Sequence, residues 1–152
     1  MEYLGELSTG TKVYSDYGHH PDAFQRLVPE MKAHFPQKNT IIFFEPHQAR
    51  RLLSLRDDFI DSLEGADQVR IYHPYTAREQ REDLQDLLDE KLGQISHDSD
   101  DLGAAFAQAV GGQYIGSEQL LVESLQTLTE DDMILVASAG NLDSIMREQI
   151  RH

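Results

Sequence analysis

The 152-residue sequence contains no cysteine, which excludes a disulfide framework, a thiolate metal site and a cysteine nucleophile. It is short of positive charge as well: 13 Lys and Arg stand against 27 Asp and Glu, a net charge of −14. Such a surface repels phosphate backbones and anionic lipid, so neither nucleic acid nor membrane is expected as a partner. The longest purely apolar run, Met133 to Ala137, is far short of the roughly 20 residues that a membrane-spanning helix needs. The first residues, Met1 to Glu6, lack a basic stretch followed by an apolar one, so no signal peptide is expected. Internal repeats, low-complexity tracts and Pro/Gly/Ser linkers are absent too. These exclusions leave a single soluble, cytoplasmic domain, and 39% hydrophobic residues are enough to build its core.

Short β-type runs alternate with helical patterns, the rhythm of an α/β domain with a mainly parallel sheet. Strands are predicted at Thr11–Tyr14, Thr40–Phe44, Gln68–Tyr72, Tyr114–Ile115 and Met133–Ala137. The Ile41–Phe44 run shows no polar alternation, as expected of a strand covered on both faces. His20-Pro21-Asp22 reads as a helix start, because proline is tolerated in a first turn. Phe24, Leu27, Val28, Met31 and Phe35 then share one helix face, with Pro29 expected to kink that helix or end it early. Leu52, Leu55, Phe59, Ile60 and Leu63 predict one further helix, stopped by Gly65. Leu84 to Ile95, Leu102 to Val110, Glu118 to Leu128 and Leu142 to Ile150 complete the helices.

Between Glu79 and Asp101 nine acids outnumber two bases, so this segment carries half of the net charge. It reads either as a docking surface for a basic partner or as the solvated face of an outer helix with an acidic loop.

Ligands of open α/β sheets bind outside the carboxyl ends of the strands. Three polar clusters fall at such ends: Ser15 to Pro21, Glu45 to Arg51, and Ser138 to Asn141. If the sheet is parallel, these loops gather on one rim. Their residue types suit a zwitterion or a phosphate. Arg51, or Arg50 if the loop is shifted by one, offers a planar fork to a carboxylate. His19 or His47 can orient an amine, and Gly18 and Gly140 let backbone N–H groups approach a ligand. Each histidine also reads as a solvated or helix-capping residue, Gly140 as simple turn geometry, and Asn141 as a helix N-cap. Asp16, His19, His20 and His47 are potential metal ligands, yet adjacent histidines rarely face one ion and no His-Glu-x-x-His pattern occurs. No Gly-x-Ser-x-Gly elbow, Gly-x-x-x-x-Gly-Lys-Ser/Thr loop or Gly-x-Gly-x-x-Gly motif is present.

Asp16-Tyr17-Gly18-His19-His20-Pro21 resembles the Asp-Tyr-Gly-His-His-Pro signature in the C-terminal domain of the Mur ligases. The similarity extends to Tyr3-Leu4-Gly5-Glu6, to Pro46-His47 with Arg51, to Asp57-Asp58-Phe59 and to Ala139-Gly140-Asn141. It covers nearly the whole chain but only the last of three family domains. The nearest branch is that of the UDP-N-acetylmuramate–L-alanine ligases and the murein-peptide ligases. The resemblance implies a three-layer, Rossmann-like domain with a mainly parallel sheet of about six strands. It further implies ATP-dependent amide-bond formation with Mg2+, in which a muramyl carboxylate becomes an acyl phosphate that an amino acid's amine attacks. UDP-N-acetylmuramate and ATP would be held mainly by N-terminal and central domains absent from this chain, which therefore is expected to bind no cofactor tightly and to be inactive alone. In that frame Asp16 would face the nucleotide ribose. Tyr17, His19, His47, Arg51 and Asn141 would bind the incoming amino acid, L-alanine first among the candidates, with His19 and Arg51 as the catalytic pair. The sequence departs from the family at Gln48, where a cation is usual, and at Ser138, where a glycine is usual; Arg50 is a candidate replacement cation. The missing cation motivates a rival reading, a non-catalytic binding or regulatory module. A small metal-dependent hydrolase using Asp16, His19, His20 and His47 is a third.

Overall fold

A computed structural model describes residues 1–74, 85–92 and 99–150. The chain runs β1 (Glu2–Glu6), β2 (Lys12–Asp16), α1 (Pro21–His34), β3 (Asn39–Phe44), α2 (Ala49–Ser54), α3 (Arg56–Leu63), β4 (Gln68–Tyr72), α4 (Gln85–Leu92), α5 (Ser99–Ala109), β5 (Gln113–Ile115), α6 (Glu118–Leu125), β6 (Asp132–Ala137) and α7 (Asn141–Glu148). The six strands form one sheet in the order β1-β2-β6-β3-β4-β5, parallel throughout except for β1. Helices cover both faces, giving the expected three layers.

Strand periodicity explains the layering, since successive side chains leave a strand on opposite faces. Ile42, Phe44, Val69, Ile71, Met133 and Leu135 join Phe24, Leu27, Met31, Phe59 and Phe106 in one core beneath α1, α2, α3 and α5. Ile41, Phe43, Ile134 and Val136 face the other way, against Leu121, Leu125, Leu142 and Met146 of α6 and α7. β3 and β6 are thus buried on both faces, which is why their sequences do not alternate.

Three expectations are corrected. Helix α1 continues through Pro29 to His34, so the proline does not end it early. Pro29 is exposed, so the carbonyl it leaves without a partner faces water, while Phe24, Leu27, Val28 and Met31 bury fully on the opposite side. That burial outweighs the roughly 3 kcal/mol that proline costs inside a helix. The single helix expected over Leu52 to Leu63 is two, with Leu55 (φ −109°, ψ 20°) as the joint. On a straight helix Leu53 would lie about 120° away from Phe59; the bend allows both to bury. Strand β1 had no counterpart in the sequence reading. It is an edge strand with mostly exposed residues and a bulge at Gly5 (φ 139°), so no apolar alternation marks it. Leu84, Ile95 and much of the acidic Glu79–Asp101 segment lie outside the described residues. Among the described residues no helix is long and apolar enough to cross a membrane.

Candidate functional site

The register of the parallel strands places the three polar clusters side by side. Ala137 at the end of β6 pairs with Asp16 at the end of β2 on one flank and with Phe44 at the end of β3 on the other. The loops that follow therefore leave the sheet at one carboxyl rim, as the sequence led us to expect.

In the first loop, Asp16 accepts hydrogen bonds from Gly18 N (2.9 Å) on one oxygen and faces the Met1 ammonium (2.9 Å) with the other. Burial works against its ionisation, but the hydrogen bonds from the Met1 ammonium and Gly18 N–H, with the charges of Met1 and Arg26, prevail and hold the carboxyl below its usual range. Gly18 is required for packing: a Cβ there would lie 2.6 Å from Ala23 Cβ at the start of α1. Tyr17 projects into solvent, 72% exposed, edge-on to the His19 ring at 5.5 Å. His19 Nδ1 lies 3.0 Å from the Tyr17 carbonyl oxygen. His20 turns away and caps α1, its Nδ1 accepting from Asp22 N at 3.2 Å.

The second loop brings His47 to His19, ring centroids 5.8 Å apart. Gln48 occupies the N-cap position of α2 with no side-chain cap bond, and Arg50 and Arg51 follow in that helix. Arg50 is exposed and Arg51 half-buried.

In the third loop Gly140 follows its turn reading, and Asn141 is not the helix N-cap. Gly140 N–H donates to Ser138 Oγ (3.0 Å), and Leu142 N–H donates to Glu45 Oε2 (3.0 Å). Those donors are committed within the protein and do not await a ligand. Gly140 is glycine because a Cβ would sit 2.8 Å from Glu45 Oε2. Gly140, not Asn141, holds the N-cap position of α7, and the capping oxygen comes from Glu45 in another loop. Asn141 is exposed at the first position of α7.

An open cleft of about 570 Å3 runs along this rim, lined by Ser15, Asp16, Tyr17, Gly140, Asp143 and Arg147 among others. Arg147 bridges Asp143 (2.7 Å) and Glu2 (2.8 Å), and Ser15 donates to Asp143. The structure thus joins Tyr17, His19 and His47 in one row and puts Asp16 and Tyr17 in the cleft; Arg51 and Asn141 lie on adjoining elements but outside the cleft lining.

Glu45 was grouped with its loop by sequence but given no task; its only signal is an acid ending the apolar run Ile41–Phe44. Farther along the rim, His73 Nδ1 lies 3.1 Å from both Asp100 Oδ1 and Tyr114 Oη, and Tyr114 donates to Asp100. No motif announced that cluster.

The residues were also tested against ATP and Mg2+. The Gly140 and Leu142 N–H groups at the start of α7 are occupied and the Glu45 carboxylate stands beside them, so these two donors are not offered to a triphosphate. Among the described residues no group of three or more His, Asp or Glu side chains converges on one point where a metal ion could bind, which also removes the geometry a metal-dependent hydrolase would need. A ribose hydroxyl fits better, because each Asp16 oxygen keeps acceptor capacity at the lip of the cleft.

The fold and the rim loops are those of a Mur ligase C-terminal domain. A model of the family "Mur ligase, glutamate ligase domain" matches residues 1–140, and the chain belongs to that family. The UDP-N-acetylmuramate–L-alanine ligase of Buchnera aphidicola subsp. Acyrthosiphon pisum (strain Tuc7) is 30% identical over 153 residues, covering 95% of this chain and 30% of that protein. The enzyme of the same name from Caldanaerobacter subterraneus subsp. tengcongensis is 32% identical over 134 residues, covering 88% and 26%. Among solved structures, a murein peptide ligase from Psychrobacter arcticus superposes with a TM-score of 0.66 at 19% identity, covering 98% of this chain and 28% of that one. The chain therefore spans less than a third of the length of these relatives.

Proposed function

We propose that this chain is the amino-acid-positioning domain of an ATP-dependent ligase that joins L-alanine to UDP-N-acetylmuramate in peptidoglycan precursor synthesis. It works beside an N-terminal UDP-sugar-binding domain and a central ATP-binding domain, in the cytoplasm. The observation that carries this reading is the row Tyr17–His19–His47, assembled from two loops at the head of the helix that bears Arg51.

A small zwitterion needs an anion receptor, a place for its amine and walls that exclude water. The Arg51 guanidinium supplies the first through two parallel hydrogen bonds to the carboxylate. A neutral imidazole of His19 or His47 accepts the proton that the ammonium must lose before its nitrogen attacks. Tyr17, now exposed, becomes a wall once the other domains close over the rim, and Asn141 offers a further amide contact. Asp16 receives a ribose hydroxyl at the cleft. ATP and Mg2+, held by the other domains, would supply the activation of the muramyl carboxylate; this chain's share is orientation and charge compensation around the reacting centre.

The test is ligation of L-alanine to UDP-N-acetylmuramate with ATP, by a ligase with this chain as its C-terminal domain and by the 152-residue chain alone. Product from the former and none from the latter is expected. Product from the chain alone, or none from a folded ligase, contradicts the proposal.

A further inference from the structure

We propose that Glu45 is a positioning residue: its buried carboxylate locks the His47 loop to the Ser138–Gly140 turn and so fixes where His47 stands on the rim. The inference rests on the preceding reading only in taking that rim as the amino-acid site.

Glu45 is 3% exposed. Both hydrogen bonds it receives fall on one oxygen, Oε2: from Ser138 Oγ at 2.5 Å and from Leu142 N at 3.0 Å. Its backbone N–H donates to Ala137 O at 3.0 Å. Backbone and side chain are therefore pinned to the same β6–α7 junction, more than 90 residues away in sequence. The next residue, Pro46, is buried and has its φ fixed by its ring, which leaves little freedom between Glu45 and His47. His47 then meets His19 across the loop boundary. A helix cap alone does not call for this arrangement, because a side chain at the N-cap position itself satisfies the first N–H groups of most helices. Here that position is glycine, and its missing Cβ is the space the distant carboxylate fills. Burying a carboxylate is costly unless it is hydrogen-bonded, and this one spends its bonds joining two functional loops.

The test uses the isotopically labelled 152-residue chain. The His19–His47 ring-proton NOEs and the His47 imidazole resonances are compared in wild type, Glu45→Ala, Glu45→Gln and Gly140→Ala. In Glu45→Ala the NOEs disappear and the His47 resonances move, while Val69 and Tyr114 amides stay in place. Glu45→Gln preserves the wild-type pattern, because one amide oxygen can accept both bonds. Gly140→Ala displaces His47 as Glu45→Ala does, by pushing on the carboxylate, and it decides the matter if Glu45→Ala fails to fold. Unchanged NOEs in Glu45→Ala and Gly140→Ala, or a Gln variant as disturbed as the Ala one, overturn the proposal. In a ligase carrying this domain, Glu45→Ala should lower kcat/KM for L-alanine by up to about 100-fold with the KM for ATP unchanged, and Glu45→Gln should restore it. A displaced His47 with unaltered ligation kinetics leaves Glu45 as the positioner and refutes the amino-acid site instead.

Discussion

The rings of His19 and His47, 28 positions apart in sequence, lie with centroids 5.8 Å from each other. They meet because β2 and β3 both pair with β6 and end level with Ala137. The site is therefore a property of the strand order and belongs to no single loop. Side chains that act as a unit give non-additive effects. In a double-mutant cycle on kcat/KM for L-alanine, His19→Ala and His47→Ala should couple by about 0.5–3 kcal/mol. Strict additivity would mean that the two imidazoles act separately.

In the proposed function Arg51 is the receptor for the amino-acid carboxylate. Arg51→Ala should cost about 1–3 kcal/mol in kcat/KM for L-alanine, as for a charged hydrogen bond. Arg50→Ala, at an exposed position, should change it by less. Steady-state kinetics over a range of alanine concentrations checks both; unchanged kinetics for Arg51→Ala would move the role to Arg50.

Much of this architecture is legible in the sequence, and the failures are physically specific. β3 and β6 are read within a residue because buried parallel strands carry uninterrupted apolar runs, and β4 because Val69, Ile71 and Tyr72 give its short segment a strand composition despite Arg70. β1 is missed because an edge strand buries little, and Pro29 misleads because its burial state is not a local property. The rim follows from loop composition plus the parallel topology, which single out His19 and His47, whereas Tyr17 is singled out only by the resemblance of Asp16–Pro21 to the family signature. The ligand-facing N–H read at Gly140 and the N-cap read at Asn141 are not what the fold has, since the group that satisfies α7 comes from Glu45, nearly a hundred residues earlier. Long-range capping leaves no periodic trace.

Stability should depend on pH through Asp67. Its Oδ2 accepts from Thr40 N at 2.8 Å and its Oδ1 from Lys32 Nζ at 3.1 Å. The Thr40 N–H bond, helped by Lys32 and opposed by burial, holds the carboxyl below its ordinary value of 3.8. A carboxyl depressed in the folded state stabilises the fold above its unfolded pKa and loses that contribution as pH falls through the folded one. Asp67→Asn should therefore flatten the acid limb of a Tm-versus-pH curve below about pH 4. At neutral pH it should cost about 1 kcal/mol or less, because an amide oxygen still accepts from Thr40 N–H and only the charge facing the half-exposed Lys32 is lost. A mutant curve parallel to wild type would remove Asp67 from the acid response.

Whether the loops after β2, β3 and β6 together hold the amino acid is decided by a structure of a ligase bearing this domain with L-alanine bound. The alanine carboxylate is expected within hydrogen-bonding distance of Arg51 and its nitrogen beside His19 or His47. Alanine bound at the opposite end of the sheet, near Lys12, Asn39 and Asp132, would contradict this expectation.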